Sequence, residues 1–189
     1  MNRTATRKHS KAKPTAEPKN SRQEELAELH AQFLPQRLTR HNLSLSVAVW
    51  MVGVHVGALF APFYFSWSAV VAALVLHWLT ASIGICLAFH RHLSHRSFKL
   101  RPPARFFALL CGTLSAEGSP WVWASTHRLH HQKSDQEGDP HSPLDGRWWS
   151  HIFWTFLERA RRYDESLLRL YAPDLAEDRM VVFLHRTFG

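Results

Sequence analysis

Charge is the first thing missing: residues 43–89 contain no Asp, Glu, Lys or Arg. Acid is scarce elsewhere too, with 15 Asp and Glu against 23 Lys and Arg, for a formal charge of +8. Cysteine is rarer still. Cys86 and Cys111 are the only two and both lie in apolar surroundings, which excludes a disulfide framework and a thiolate metal site and reads as buried free thiols. No internal repeat is present, and no motif that reads nucleic-acid bases accompanies the basic balance. Histidine, by contrast, is abundant, at 14 of 189 residues.

Crossing a hydrocarbon core of ~30 Å takes about 20 helical residues, so the uncharged run is long enough for two spans. They are expected at about residues 43–64 and 67–89, joined by a tight turn whose aromatics, Phe63, Tyr64, Phe65 and Trp67, suit the membrane interface. The run starts too far in for a cleavable signal peptide. Nine Lys and Arg precede it, against four acids, and Arg91, Arg96, Lys99, Arg101 and Arg105 follow it. Lys and Arg favour the cytoplasmic side, so both termini and everything after the hairpin are expected there. The positive charge is thereby explained without nucleic acid.

Residues 1–20 are polar and rich in Lys, Thr and Pro, the composition of a disordered basic tail. Over residues 21–42, Ser21 and Glu24 form a capping box, Leu26, Leu29 and Phe33 share a stripe and Pro35 ends it, predicting an amphipathic helix on the membrane surface. Residues 43–189 form the main body. After the bend at Pro102 and Pro103, residues 104–114 are apolar but too short to span, so they should lie in the interface. Helix resumes over residues 121–131, after Gly118-Ser119-Pro120. A hydrophilic loop leads to an aromatic run at 148–157, again too short for a span. Asp174 and Glu177 read as the capping box of a last helix over 175–184.

The histidines fall into two tight groups, HRHLSH at 90–95 and HRLHH at 127–131. Residues three and four apart share a helix face, so His127, His130 and His131 should line one stripe, serving one or two metals. His90 and His95 stand roughly 140° apart on an ideal α-helix, flanking a site where the second span leaves the lipid. Five imidazoles and no oxygen donor suit iron or zinc.

HRHLSHRSF followed by HRLHHQKSDQEGDPHSP resembles the first two histidine boxes of the integral-membrane fatty acid desaturases, nearest the acyl-CoA and bacterial acyl-lipid Δ9 type. The resemblance runs from about residue 40 to the end. His90 and His95 match the family's H-x4-H, and His127, His130 and His131 its H-x2-H-H. Arg91, Arg128, the Ser94–Ser97 run and Asp139-Pro140-His141 match as well. The resemblance implies an all-α membrane protein: one transmembrane helical hairpin with cytoplasmic amphipathic and interfacial helices, half of a four-span fold. It implies a non-haem di-iron centre held by His90, His95, His127, His130 and His131, which with O2 and two electrons desaturates a saturated acyl chain. Implied partners are the lipid bilayer, an acyl substrate on CoA, lipid or carrier protein, and an electron donor such as ferredoxin or a small cytochrome. Hydroxylases and ketolases of the same superfamily generally lack the HR-x3-HRSF context.

Metal-bound imidazoles usually donate their other N–H to a carboxylate or carbonyl, a role open to Asp135 and Asp139 beside the alternative of a solvated loop. His141 belongs to the family's pattern but not to its usual ligands, and His92 is expected to face solvent. Trp123 matches a tryptophan lining the family's acyl tunnel, with an interfacial anchor as the other reading. Arg147, Arg159, Arg161 and Arg162 suit an acidic headgroup, an acidic electron donor or plain solvation. His55 and His77 lie at similar depth in the two spans, leaving open a haem b-binding hairpin or, more simply, a histidine bonded to its own helix. The family's third box, another H-x2-H-H, has no match, because His141, His151 and His185 make no box. The chain therefore reads as the N-terminal part of a desaturase, inactive alone, with a non-catalytic membrane remnant as the alternative.

Overall fold

The computed structural model describes residues 38–157 and 165–188, together with residues 24, 27 and 28. The expected tail at 1–20, most of the helix expected at 21–42, and Arg159, Arg161 and Arg162 lie outside the described residues. Those described are helical, with no strand among them. An isolated bridge pairs Leu43 with Leu157.

Helix α1 is Leu45–Phe60, extended by a 3-10 turn over Ala61–Tyr64. Helix α2, Trp67–His77, begins at Ser66, whose hydroxyl accepts from the Ala69 N–H at 3.2 Å. It runs without a break into a π-helical segment, Trp78–Ser94. The two rods, Leu45–Tyr64 of 20 residues and Trp67–Ser94 of 28, are each long and apolar enough to cross a membrane. The second outlasts the expected span because the helix continues through the first histidine group. Neither α1 nor α2 has a buried residue. Their apolar side chains face outward all round, as lipid-facing helices do. Cys86 lies on this rod and is exposed, whereas Cys111 is buried; the expectation that both are buried fails for Cys86, which points away from the protein.

Helix α3, Pro102–Thr113, opens on two prolines, whose missing N–H groups cost nothing at a helix start. It packs along the π-helical segment at a close crossing: a Cβ on Gly84 would strike the backbone of Gly112, and one on Gly112 would meet the Phe89 ring at 2.6 Å. Ala108, Leu109, Cys111, Gly112 and Thr113 are buried in this contact. The segment expected at the interface is thus a packed helix on one side, while Phe106 and Phe107 face outward.

Helix α4, Pro120–Lys133, is capped by Ser119, which accepts from the Val122 N–H at 3.4 Å. Helices α5 (Arg147–His151), α6 (Glu165–Tyr171) and α7 (Arg179–Phe188) follow, with 3-10 turns at Pro143–Asp145, Phe153–Phe156 and Pro173–Leu175. The core gathers at the far end of the second rod, where Phe89, Leu93, Leu109, Trp121, Ala124, Leu168, Val181 and Leu184 meet. Each large side chain buried there contributes about 1.5–3 kcal/mol. Trp121 adds a bond from its Nε1 to the Ala172 carbonyl at 3.2 Å.

The cap of α7 is Asp178, not Asp174. Its Oδ1 accepts from the N–H groups of Met180 at 3.1 Å and Val181 at 3.2 Å. The same carboxylate takes a bidentate pair from Arg105 at 3.1 and 2.5 Å, tying α7 to α3. Arg105 also donates from Nε to His92 Nε2 at 2.9 Å, and His92 Nδ1 lies 2.9 Å from the Phe98 carbonyl. His92 is therefore half-buried with both ring nitrogens engaged, rather than facing solvent.

Burial pushes the Asp178 carboxyl up, but the bonds from Arg105 and the two N–H groups outweigh it and hold it below the usual carboxylate range. A lowered native pKa stabilises the fold above the unfolded value and is lost as pH falls through the native one. Asp178→Asn should therefore cost about 1–3 kcal/mol near neutral pH and flatten the loss of stability on acidification, read by thermal unfolding in detergent. At the helix crossing, Gly84→Ala should destabilise more than Gly112→Ala, because a backbone cannot give way as a ring can. Equal melting temperatures for the two variants would contradict the close approach.

Candidate metal centre

The π-helical winding changes what H-x4-H means. With backbone bonds closing from i to i+5, residue i+5 stands about one turn above residue i. The His95 N–H donates to the His90 carbonyl in this way at 3.0 Å. The rings therefore converge, Nε2 to Nε2 at 3.0 Å, instead of splaying by the angle expected of an α-helix. On α4, His127 points at the same spot, its Nε2 lying 3.3 Å from that of His95 and 3.0 Å from that of His131. All four ligand atoms lie within 4.8 Å of one another.

Nitrogens bound at ~2.1 Å to one first-row cation stand roughly 3.0–3.4 Å apart, so the observed spacings fit a shared ion. Charge state favours it too. Burial, then repulsion from His90, His131, His95 and His130, pushes His127 down to about 3, and burial with its histidine neighbours also lowers His131. Both rings are neutral at physiological pH, with lone pairs to give.

His130 goes elsewhere. On an α-helix, three residues amount to about −60° and four to about +40°, so His131 stays with His127 while His130 turns away. Its Nδ1 lies 3.0 Å from both carboxylate oxygens of Asp139, which makes it the donor and leaves Nε2 a free lone pair. Asp139 is completely buried and accepts two more bonds, from the N–H groups of Asp135 and His141, each at 3.1 Å. Burial alone would raise its pKa, but these bonds win and keep it ionised. A turn at Gly138, with φ of 92°, brings Asp139 back beneath α4. Asp135 is itself exposed and takes part through its backbone.

Thus the single expected stripe divides into two groups, His90–His95–His127–His131 and His130–Asp139–His141. In the second, the His130 and His141 rings are stacked, centroids 4.3 Å apart at 26°. Their ligand atoms and that of Asp139 lie within 4.8 Å of one another, a second group able to hold a cation. Trp123 lies against His127, centroids 4.8 Å apart at 24°, and its Nε1 donates to Glu117 at 3.1 Å. The indole thereby covers one face of a converging ring. His55 is bonded to its own helix, Nδ1 to the Met51 carbonyl at 2.7 Å, and His77 sits exposed in the last turn of α2.

Two residues take roles here that the sequence reading did not assign them. Arg128, between the imidazoles of the second box, donates to the Leu93 carbonyl at 2.7 Å and to both oxygens of Asp174 at 2.6 and 3.1 Å. Asp174, read from sequence as a helix cap, also pairs with Arg96 at 2.7 Å. The usable signal was positional: one residue past His127, Arg128 is turned about 100° from the imidazole stripe and into the protein. A cavity of about 240 Å³ opens beside the four-histidine group, lined by Ser94, His95, His127, Arg128 and His131.

The family model for fatty acid desaturases matches residues 65–187. The chain is 41% identical over 152 residues to an sn-1 stearoyl-lipid 9-desaturase of Anabaena variabilis, covering 79% of this chain and 55% of that protein. It is 41% identical over 155 residues to an sn-2 palmitoyl-lipid 9-desaturase of Nostoc sp. (strain 36), covering 82% and 54%. An acyl-CoA 5-desaturase of Anemone leveillei is 44% identical over 141 residues, covering 72% and 42%. The chain spans about half the length of the curated relatives it matches. Family match and shared identity lead to one conclusion: this chain belongs to the fatty acid desaturase family.

Proposed function

We propose that this chain supplies part of a non-haem di-iron centre that desaturates fatty acyl chains held in membrane lipid, at the Δ9 position. The observation that carries the proposal is the convergence of four imidazole Nε2 atoms from the two boxes, spaced as donors to one cation. His90, His95, His127 and His131 would hold one iron. His130, its tautomer fixed by Asp139, would present Nε2 to a second.

Bound iron, with O2 and two electrons, supplies the oxidising strength for breaking unactivated C–H bonds, which no side chain possesses. Overall, a CH2–CH2 unit loses two hydrogens and O2 is reduced to two waters with two further electrons and two protons. The protein's part is placement. The four-histidine group lies at the end of the second rod, where the chain leaves its lipid-facing stretch and enters the packed core. An acyl chain lying in the bilayer ends at that level. Trp123 and Phe89, with ring centroids 5.9 Å apart, put an apolar wall beside the imidazoles. The flanking Lys and Arg favour a cytoplasmic placement of both termini and both boxes, within reach of a soluble donor such as ferredoxin or a small cytochrome.

Among the described residues, the second group offers imidazole nitrogens from His130 and His141 only, its carboxylate Asp139 being already engaged by His130 and two backbone N–H groups, too few donors to fill the shell of a second iron. The chain alone should therefore bind a single iron equivalent and form no alkene. Joined to the portion of the Anabaena variabilis enzyme that it does not match, it should bind a second equivalent and make cis-9 monoene in cells lacking their own desaturase, read by gas chromatography of the methyl esters. A folded chimera that yields alcohol, or no oxidised product, would overturn the proposal. Within the chain, Asp139→Asn should weaken iron binding about 10- to 100-fold. His127→Ala should abolish the first equivalent, and His92→Gln should spare it, all read by metal analysis.

A further inference from the structure

The aromatic segment after the second histidine group is too short to span, yet it leaves large apolar side chains in the open. Leu144 is 77% exposed, Trp148 56% and Phe153 44%. The rings of Trp148 and Phe153 are stacked, centroids 6.4 Å apart at 26°, and Phe156 meets Phe153 edge-on at 6.4 Å. These rings therefore form one contiguous patch. The guanidinium of Arg147 lies 5.5 Å over Trp148, and the exposed Asp145 is the one acid between Leu144 and Phe156.

The patch is fixed at one level of the molecule. The Ser44 N–H donates to the Phe156 carbonyl at 2.7 Å, and Leu43 bridges Leu157. Ser44 is the residue before α1, whose apolar side chains begin at Leu45. It marks the plane at which the first rod enters the hydrocarbon. Aromatic rings beside a basic group, held at that plane, have the composition of an interfacial belt, with Arg147 free to reach headgroup phosphate.

We infer that the segment from Leu144 to Phe156 is a monotopic membrane contact, seating Leu144, Trp148 and Phe153 at the boundary of headgroups and acyl chains. The occupant is lipid rather than protein, because the patch is continuous with the lipid-facing surface of α1 and joined to its mouth by backbone bonds. The contact also reaches the second histidine group. Trp154 packs on His141 at 5.1 Å, and His141 on His130 at 4.3 Å. A path of ring contacts thus connects the segment to His130. The inference rests on the two rods crossing the membrane, not on metal chemistry.

The test uses the whole chain in phosphatidylcholine–phosphatidylglycerol nanodiscs, with Cys86→Ser and Cys111→Ala as background. An environment-sensitive fluorophore is placed by Leu144→Cys, Trp148→Cys or Phe153→Cys in separate proteins. Val52→Cys serves as a lipid-facing control, and Glu137→Cys as an aqueous one. At all three test positions we expect blue-shifted emission, strong quenching by lipid spin-labelled near the headgroup, and little quenching by iodide. Iodide quenching equal to that at Glu137→Cys would overturn the inference, as would protection from both quenchers, the sign of a covering protein surface. If Val52→Cys escapes lipid spin-labelled at the middle of its acyl chain, the spanning arrangement itself is wrong, a failure distinct from that of the inference.

Discussion

The guanidinium of Arg128 is the tie on which the histidine arrangement depends. Bringing four imidazoles together gains little by itself, since burial and mutual repulsion work against the protonated forms of His127 and His131. The elements bearing the rings have to be held by something else. Arg128 grips the Leu93 carbonyl, in the last turn of the π-helical segment, and at the same time Asp174 in the 3-10 turn after α6. Bonds involving a charged group contribute about 1.5–3 kcal/mol each. Arg128 is mostly buried while Asp174 is partly open, so the tie to the carbonyl is the better shielded.

A second constraint is the winding of the helix after His77. π-helical turns are uncommon and gather at functional sites. Here one brings His90 and His95 to the same side at a spacing that α-helical winding would splay. The segment is held by its neighbour. Gly84 and Gly112 let α3 approach backbone to backbone, and small residues serve the same end wherever membrane helices meet closely. The chain thus has an exposed apolar end and a packed one, with the histidines where these meet.

That asymmetry also accounts for the core. The 3-10 turn and loop at the far end of the hairpin bury nothing, while Phe89, Trp121, Leu109 and their neighbours pack beneath the boxes. Arg105 then locks α7 against α3 through Asp178, and holds the chain beyond the first box through His92 and the Phe98 carbonyl. Asp139 acts on a smaller scale, collecting His130 and two backbone N–H groups around one buried carboxylate.

Much of this was legible in the residues. The absence of charge over 43–89 determined two membrane-length helices, because hydrocarbon tolerates nothing else over that distance. The spacing of His127 and His131 placed them on one face, and the prolines and Ser119 marked where α3 and α4 begin. Tertiary structure decided the rest. Backbone winding is a property of packed helices and no side-chain pattern announces it, so the convergence of His90 with His95 was hidden. Whether His130 joins its neighbours or turns to Asp139 depends on a loop that folds back beneath its own helix. Asp174 and Asp178 are equally good caps on paper, and only the positions of Arg96, Arg128 and Arg105 assign one to an ion pair and the other to the helix. Local sequence sets what each element can be; which partners it finds depends on side chains tens of residues away.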